Sequence, residues 1–133
     1  MNKAARLIYS ILCDDVRLEM GNKLSLMGIF ENVFLPSFPA VIIRFAVVNH
    51  WMGDGQYQTQ VRVLSPDGRE IAVSAASQLG IDPQGYADNV TFFANVSLDR
   101  AGTYSIQTSI DSKVVAERPL YVAMVQQAPS TMN

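Results

Sequence analysis

Tyr57-Gln58-Thr59-Gln60-Val61-Arg62-Val63, then Ser65-Pro66-Asp67-Gly68, then Ile71-Ala72-Val73-Ser74-Ala75, is the stretch that decides the fold. Tyr57, Thr59, Val61 and Val63 alternate with Gln58, Gln60 and Arg62. That period of two belongs to a strand with one face covered and the other wet. In Ser65-Pro66-Asp67-Gly68, proline presets φ, aspartate bonds amides ahead of it and glycine accepts a positive φ, so the chain turns. Ile71, Val73 and Ala75 return as the paired strand of a hairpin.

The same pattern extends in both directions. Upstream, Val41, Ile43, Phe45 and Val47 alternate with Ile42, Arg44, Ala46 and Val48, a strand apolar on both sides. His50 to Gly55 reads as a turn or loop, and Leu35-Pro36-Ser37-Phe38-Pro39 as a loop, because proline removes ladder donors. Ile11 to Glu19 and Lys23 to Glu31 read as two strands joined by Met20-Gly21-Asn22. Residues 6–13 are apolar on both parities, as in a strand buried on two sides or crossing between sheets. The apolar phase of the second strand changes at Gly28, which marks a bulge or bend.

Downstream, Ile81-Asp82-Pro83-Gln84-Gly85-Tyr86 reads as a long connection from one sheet to the other. Val90, Phe92, Ala94, Val96 and Leu98 alternate with Thr91, Asn95 and Ser97. Asp99 to Gly102 is a turn, Tyr104 to Ile110 a strand, Asp111 to Lys113 a short connection, and Val114 to Val125 the last strand or two. Residues 126–133 have little to bury and read as a loose tail. No segment sustains a helical period. The expectation is an all-β chain: a single antiparallel β-sandwich over residues 1–125, of seven to nine strands, immunoglobulin-like or a related Greek key. The approach of Asp99 to Tyr104 resembles the corner of such sandwiches where a tyrosine hydroxyl pins the backbone.

Composition narrows the function. The chain has 133 residues, half of them apolar, and a net charge of −2. It carries no basic patch, which argues against nucleic-acid binding and against an anionic membrane surface. Its single cysteine, Cys13, rules out an internal disulfide and a cysteine-rich zinc site. The basic start is followed by a short apolar run interrupted at Ser10 and closed by Asp14 and Asp15, which is a poor leader peptide. These features imply a soluble protein of a reducing compartment, the cytoplasm.

Candidate chemistry is sparse. Cys13 and the only histidine, His50, are the material for a thiolate nucleophile, but Cys13 stands beside two acids that disfavour the thiolate. Asp14, Asp15 and Glu19 are hard oxygen ligands near in sequence, the basis for a calcium or ligand site, although Arg17 sits among them and no EF-hand spacing is present. Gly53-Asp54-Gly55 is too short to cradle phosphate. Trp51, Tyr57 and Tyr86 lie in or beside expected loops and are candidates for a contact surface.

Leu12-Cys13-Asp14-Asp15-Val16-Arg17, followed by Gly21-Asn22-Lys23-Leu24-Ser25-Leu26-Met27-Gly28-Ile29-Phe30-Glu31, resembles a bacterial family of small proteins known only as a domain of unknown function. The likeness extends through Pro66-Asp67-Gly68 and Ala101 to Tyr104. It implies a sandwich fold and brings no reaction, cofactor or site residue with it. The expectation is therefore a non-catalytic, cofactor-free interaction or structural module that self-associates through surplus apolar strand faces, or pairs with another protein. The alternative is a ligand or calcium site at Asp14, Asp15 and Glu19.

Overall fold

A computed structural model describes residues 4–83 and 85–125. The expected tail, residues 126–133, lies outside the described residues. The described chain forms ten strands and no helix: β1 (Arg6–Glu19), β2 (Lys23–Ile29), β3 (Asn32–Leu35), β4 (Ala40–Met52), β5 (Gly55–Leu64), β6 (Glu70–Val73), β7 (Ser77–Ile81), β8 (Tyr86–Leu98), β9 (Gly102–Ile110) and β10 (Lys113–Met124). One sheet runs β2-β1-β4-β8. The other runs β3-β10-β9-β5-β6, with β7 pairing a second part of β5. The two sheets stack as the expected sandwich.

Several boundaries differ from the sequence reading. The ten strands are one more than the upper expected count of nine, and the four-residue β3 and five-residue β7 are the ones not read from the sequence. The sheets are not purely antiparallel either, because β3 runs parallel to β10. His50, Trp51 and Met52 are no loop. They complete β4, and register pairs Trp51 with Leu7 on one side and Ala87 on the other. The connection after β7 does cross between sheets, as expected, since β7 pairs β5 and β8 pairs β4.

The alternation explains which side chains meet. On the inner face, Leu12, Phe45, Val47 and Phe93 of the first sheet meet Val61, Val63, Tyr104 and Ile106 of the second. A smaller cluster gathers Trp51, Leu79, Ile81 and Ile110 toward one end. Between the two clusters the interior is polar. Trp51 Nε1 donates to Asn89 Oδ1 at 2.9 Å, Asn89 Nδ2 to Thr59 Oγ1 at 2.8 Å, and Asn49 Nδ2 to Thr108 Oγ1 at 3.3 Å. Buried polar side chains persist where they are paired in this way.

Two breaks of phase escape the sequence pattern. In β8 the inward residues are Phe93, then Val96 and Leu98, because Asn95 has φ +54° and inverts the alternation. Its neighbour β4 shifts at the same level, where Ile42 pairs with Val96 and Arg44 with Ala94, leaving Ile43 76% exposed. The corner before β9 is as expected: Tyr104 is buried, and its hydroxyl donates to the Arg100 carbonyl at 2.8 Å. Tyr104→Phe deletes that bond and leaves the carbonyl without its partner. It is expected to cost about 1.5 kcal/mol, read as a lower urea midpoint at unchanged slope.

Candidate functional site

The acidic stretch does not converge. Asp14, Asp15 and Glu19 lie near the free end of the β1–β2 hairpin, where each carboxylate faces a different group. Asp14 lies over Gly28, whose φ of +68° and missing Cβ leave room for it. Asp15 Oδ1 accepts from the Val16 amide at 2.9 Å and from Arg44 Nη2 at 3.1 Å. Glu19 accepts from Ser25 Oγ at 2.8 Å. Among the described residues, no three of His, Cys, Asp and Glu gather closely enough to hold a metal ion. Alternation sends Asp14 to the face opposite Asp15, and Arg44 engages Asp15, so this geometry lends the calcium expectation no support.

Cys13 and His50 stay apart. Cys13 pairs with Ala46 and His50 with Tyr9, so the two stand four residues apart along β1, about 13 Å at the rise of a strand. Cys13 is fully buried beside Ala46 and Val48, on the sheet face opposite Leu12 and Val47. Burial pushes its thiol up, and the Asp14 charge adds to this. Alkylation by iodoacetamide is therefore expected to be on the order of 100-fold slower in the native protein than in urea. A native rate equal to that of the unfolded chain would show the thiol open.

His50 sits in a row of rings. Tyr9 stacks on it with centroids 4.8 Å apart, and Tyr86 lies tilted on its other side at 5.3 Å. His50 Nδ1 donates to Asp88 Oδ1 over 2.6 Å. Burial, and then the Asp88 charge, raises the Tyr9 hydroxyl above its ordinary value. The imidazole occupies the space between the two tyrosines, so the row is filled by the chain itself.

The three aromatic candidates separate. Trp51 is fully buried and offers no contact surface, because β4 carries it into the interior. Tyr57 is half-buried, and its hydroxyl donates to the Asp54 carbonyl at 2.5 Å. Tyr86, 63% exposed at the start of β8, is the one of the three on the surface.

The sequence reading missed Arg118. It shares the parity of Leu120 and Val122 and so points inward from β10. There it donates to the Ser10 carbonyl of β1 and, at 3.3 Å, to Glu31 Oε1. Its Nε, Ser10 Oγ and Asn49 Oδ1 are buried without a protein partner. The strand parity before Pro119 was the available signal.

The long side of the sandwich formed by β8 and the β6–β7 break is also open. A groove of about 500 Å³ runs there, lined by Val73, Ser74 and Ala75 on one side and Val90, Thr91 and Phe92 on the other. Phe92 is 46% exposed, with the Arg44 guanidinium 4.5 Å from its ring centre. The edge of β8 that faces away from β4 pairs with no strand among the described residues.

Comparison with known proteins adds the family. The sequence profile of a family of unknown function, DUF6941, matches residues 8–123. The chain belongs to that family. No curated protein is significantly similar to this DUF6941 member in sequence. Among solved structures, it is similar to a β-glucosidase from Listeria innocua in complex with isofagomine, with a TM-score of 0.54, 8% identity and 94% of this chain covered. The glucose complex of the same enzyme gives a TM-score of 0.53 at 8% identity and the same coverage. This chain spans only 17% of the length of that β-glucosidase, and the likeness concerns the fold alone.

Proposed function

We propose that this DUF6941 member is a non-catalytic interaction module, a single immunoglobulin-like sandwich that associates with copies of itself in the cytoplasm. One observation carries the reading: the β4–β8 pair leaves Val41, Ile43, Tyr86 and Phe92 substantially exposed on one small domain. They lie at intervals along the whole length of the pair, from the level of Val41 and Ser97 to that of Met52 and Tyr86, and exposed apolar groups in number on one surface mark contact sites. The grouping with immunoglobulin-like sandwiches draws support from the Tyr104 corner and from the strand order. The buried, unpaired Cys13 agrees with a reducing compartment.

The surplus apolar face is smaller than the sequence reading supposed. Cys13, Ala46 and Val48 lie on the outer side of their sheet, yet Val16, Leu24, Leu26 and Val90 of the same chain cover them. The faces left for a partner are those along β4 and β8. The calcium alternative draws no support from the separate partners of Asp14, Asp15 and Glu19.

Sedimentation velocity from about 1 to 100 μM, the range in which modest protein affinities fall, is expected to show the weight-average mass rising toward that of a dimer. A monomer throughout that range would refute self-association.

A further inference from the structure

We infer that the partner surface is the open edge of β8, and that its occupant is β8 of a second copy, running antiparallel about a two-fold axis through Thr91. The inference rests on the self-association reading and gives it a place and a register.

The four edges of the two sheets are not equivalent. Exposed edges present unpaired amides and carbonyls, and proteins blunt them by shortness, breaks, lysine or proline. β2 has seven residues and carries Lys23. β3 has four. The edge opposite β3 is split into the four residues of β6 and the five of β7. β8 has thirteen residues, Tyr86-Ala87-Asp88-Asn89-Val90-Thr91-Phe92-Phe93-Ala94-Asn95-Val96-Ser97-Leu98. It contains no proline, glycine, lysine or arginine, and Asp88 is its only charge. From Tyr86 to Ala94 it pairs with β4 without a shift, so this part of the free edge is regular. The positive φ at Asn95 lies beyond it.

Symmetry and side chains choose the register. A two-fold axis perpendicular to a continuous sheet keeps outer faces together, so residues of equal parity must oppose each other and the axis must pass through a residue. With the axis on Thr91, the two threonines face each other and Val90 opposes the partner's Phe92. Thr–Thr and aromatic–β-branched pairs are among the favourable cross-strand pairs. Asp88 then opposes the partner's Ala94. Ala94 is small, so the carboxylate held by His50 meets no bulky apolar side chain across the seam. An axis on Val90 would press Asp88 against Phe92, and an axis on Phe92 would set Asp88 against Val96. In this register β8 supplies both members of every pair, and that self-complementarity favours a second copy over a foreign strand; the pairing joins two four-stranded sheets into one of eight.

Single cysteine variants along β8 read the register, with buried Cys13 as the silent background. Under mild oxidation Thr91→Cys is expected to form the disulfide dimer fastest, ahead of Val90→Cys and Phe92→Cys, and Phe34→Cys on the opposite edge strand is expected to form none. Phe92→Glu places a carboxylate diagonal to the partner's Asp88 and is expected to raise the dissociation constant about tenfold or more. Its new acid can still bond Arg44, so the monomer keeps its fold and its circular dichroism. A wild-type dimer that cross-links through Phe34→Cys and not through Thr91→Cys overturns the β8 inference and leaves self-association standing. A wild-type monomer overturns both.

Discussion

Trp51→Ala is expected to lower the unfolding free energy by about 4 kcal/mol, the largest loss from any single truncation in this chain. Trp51 is the largest of the fully buried side chains. It holds the end cluster of Leu79, Ile81 and Ile110, and Ala5 and Leu7 pack on it from the start of the chain. Truncation leaves a cavity at that end and strips Asn89 Oδ1 of its donor, so loss of packing and loss of a buried bond add. Domains of this size are stable by roughly 5–15 kcal/mol, so the variant stays folded at 25 °C with a much lower urea midpoint. Trp51→Phe separates the contributions, because it refills most of the volume without restoring the indole donor. About half of the loss should return. A midpoint for Trp51→Ala within experimental error of the wild type would contradict the buried placement.

Gly102→Ala is expected to cost about 3 kcal/mol, and for two separable reasons. Gly102 has φ +150°, and a Cβ there would lie 2.8 Å from Cγ of Pro66. The proline ring cannot swing away, so the contact is relieved only if one of two turns moves. Those turns are already joined by Arg69–Asp99 at 3.5 Å and Arg100–Asp67 at 3.2 Å. Exposed ion pairs of this sort add little stability, but they show that the β5–β6 turn and the corner before β9 pack as one unit. Pro66→Ala in the Gly102→Ala background removes the Cγ contact and leaves the backbone strain. The double variant is expected to recover about 1 kcal/mol relative to the sum of the singles, measured by a double-mutant cycle in urea. Strict additivity would show that the two turns do not touch.

The order of strands around Tyr57 to Val73 was legible in the residues because turn chemistry and alternation agree there. Thr59, Val61 and Val63 do face inward, and the Gly68 amide closes the turn onto the Ser65 carbonyl at 2.9 Å. Legibility failed where both parities are apolar. Phe92 and Phe93 are adjacent, so composition alone gives no phase, and the inversion at Asn95 needs a backbone angle that asparagine tolerates without announcing it. The bulge between Leu7 and Tyr9 hid in the same way, since Ile8 is as apolar as its neighbours. Trp51 was misplaced because Gly53 and Gly55 follow so closely that the turn looked longer than it is. The contact site was half legible. Tyr86 was in view, but an edge is defined by the strand that is missing beside it, and that depends on sheet order.

The Asn49–Thr108 and Trp51–Asn89–Thr59 bonds have a consequence beyond their modest contribution to stability. Hydrocarbon side chains can be slid over one another by a strand residue or two at small cost, whereas amides and hydroxyls that meet between two sheets keep their bonds in one alignment. These few side chains act as the dowel pins of the sandwich. Because Asn89 belongs to β8, they also hold fixed, relative to everything behind it, the strand that a second copy would have to match.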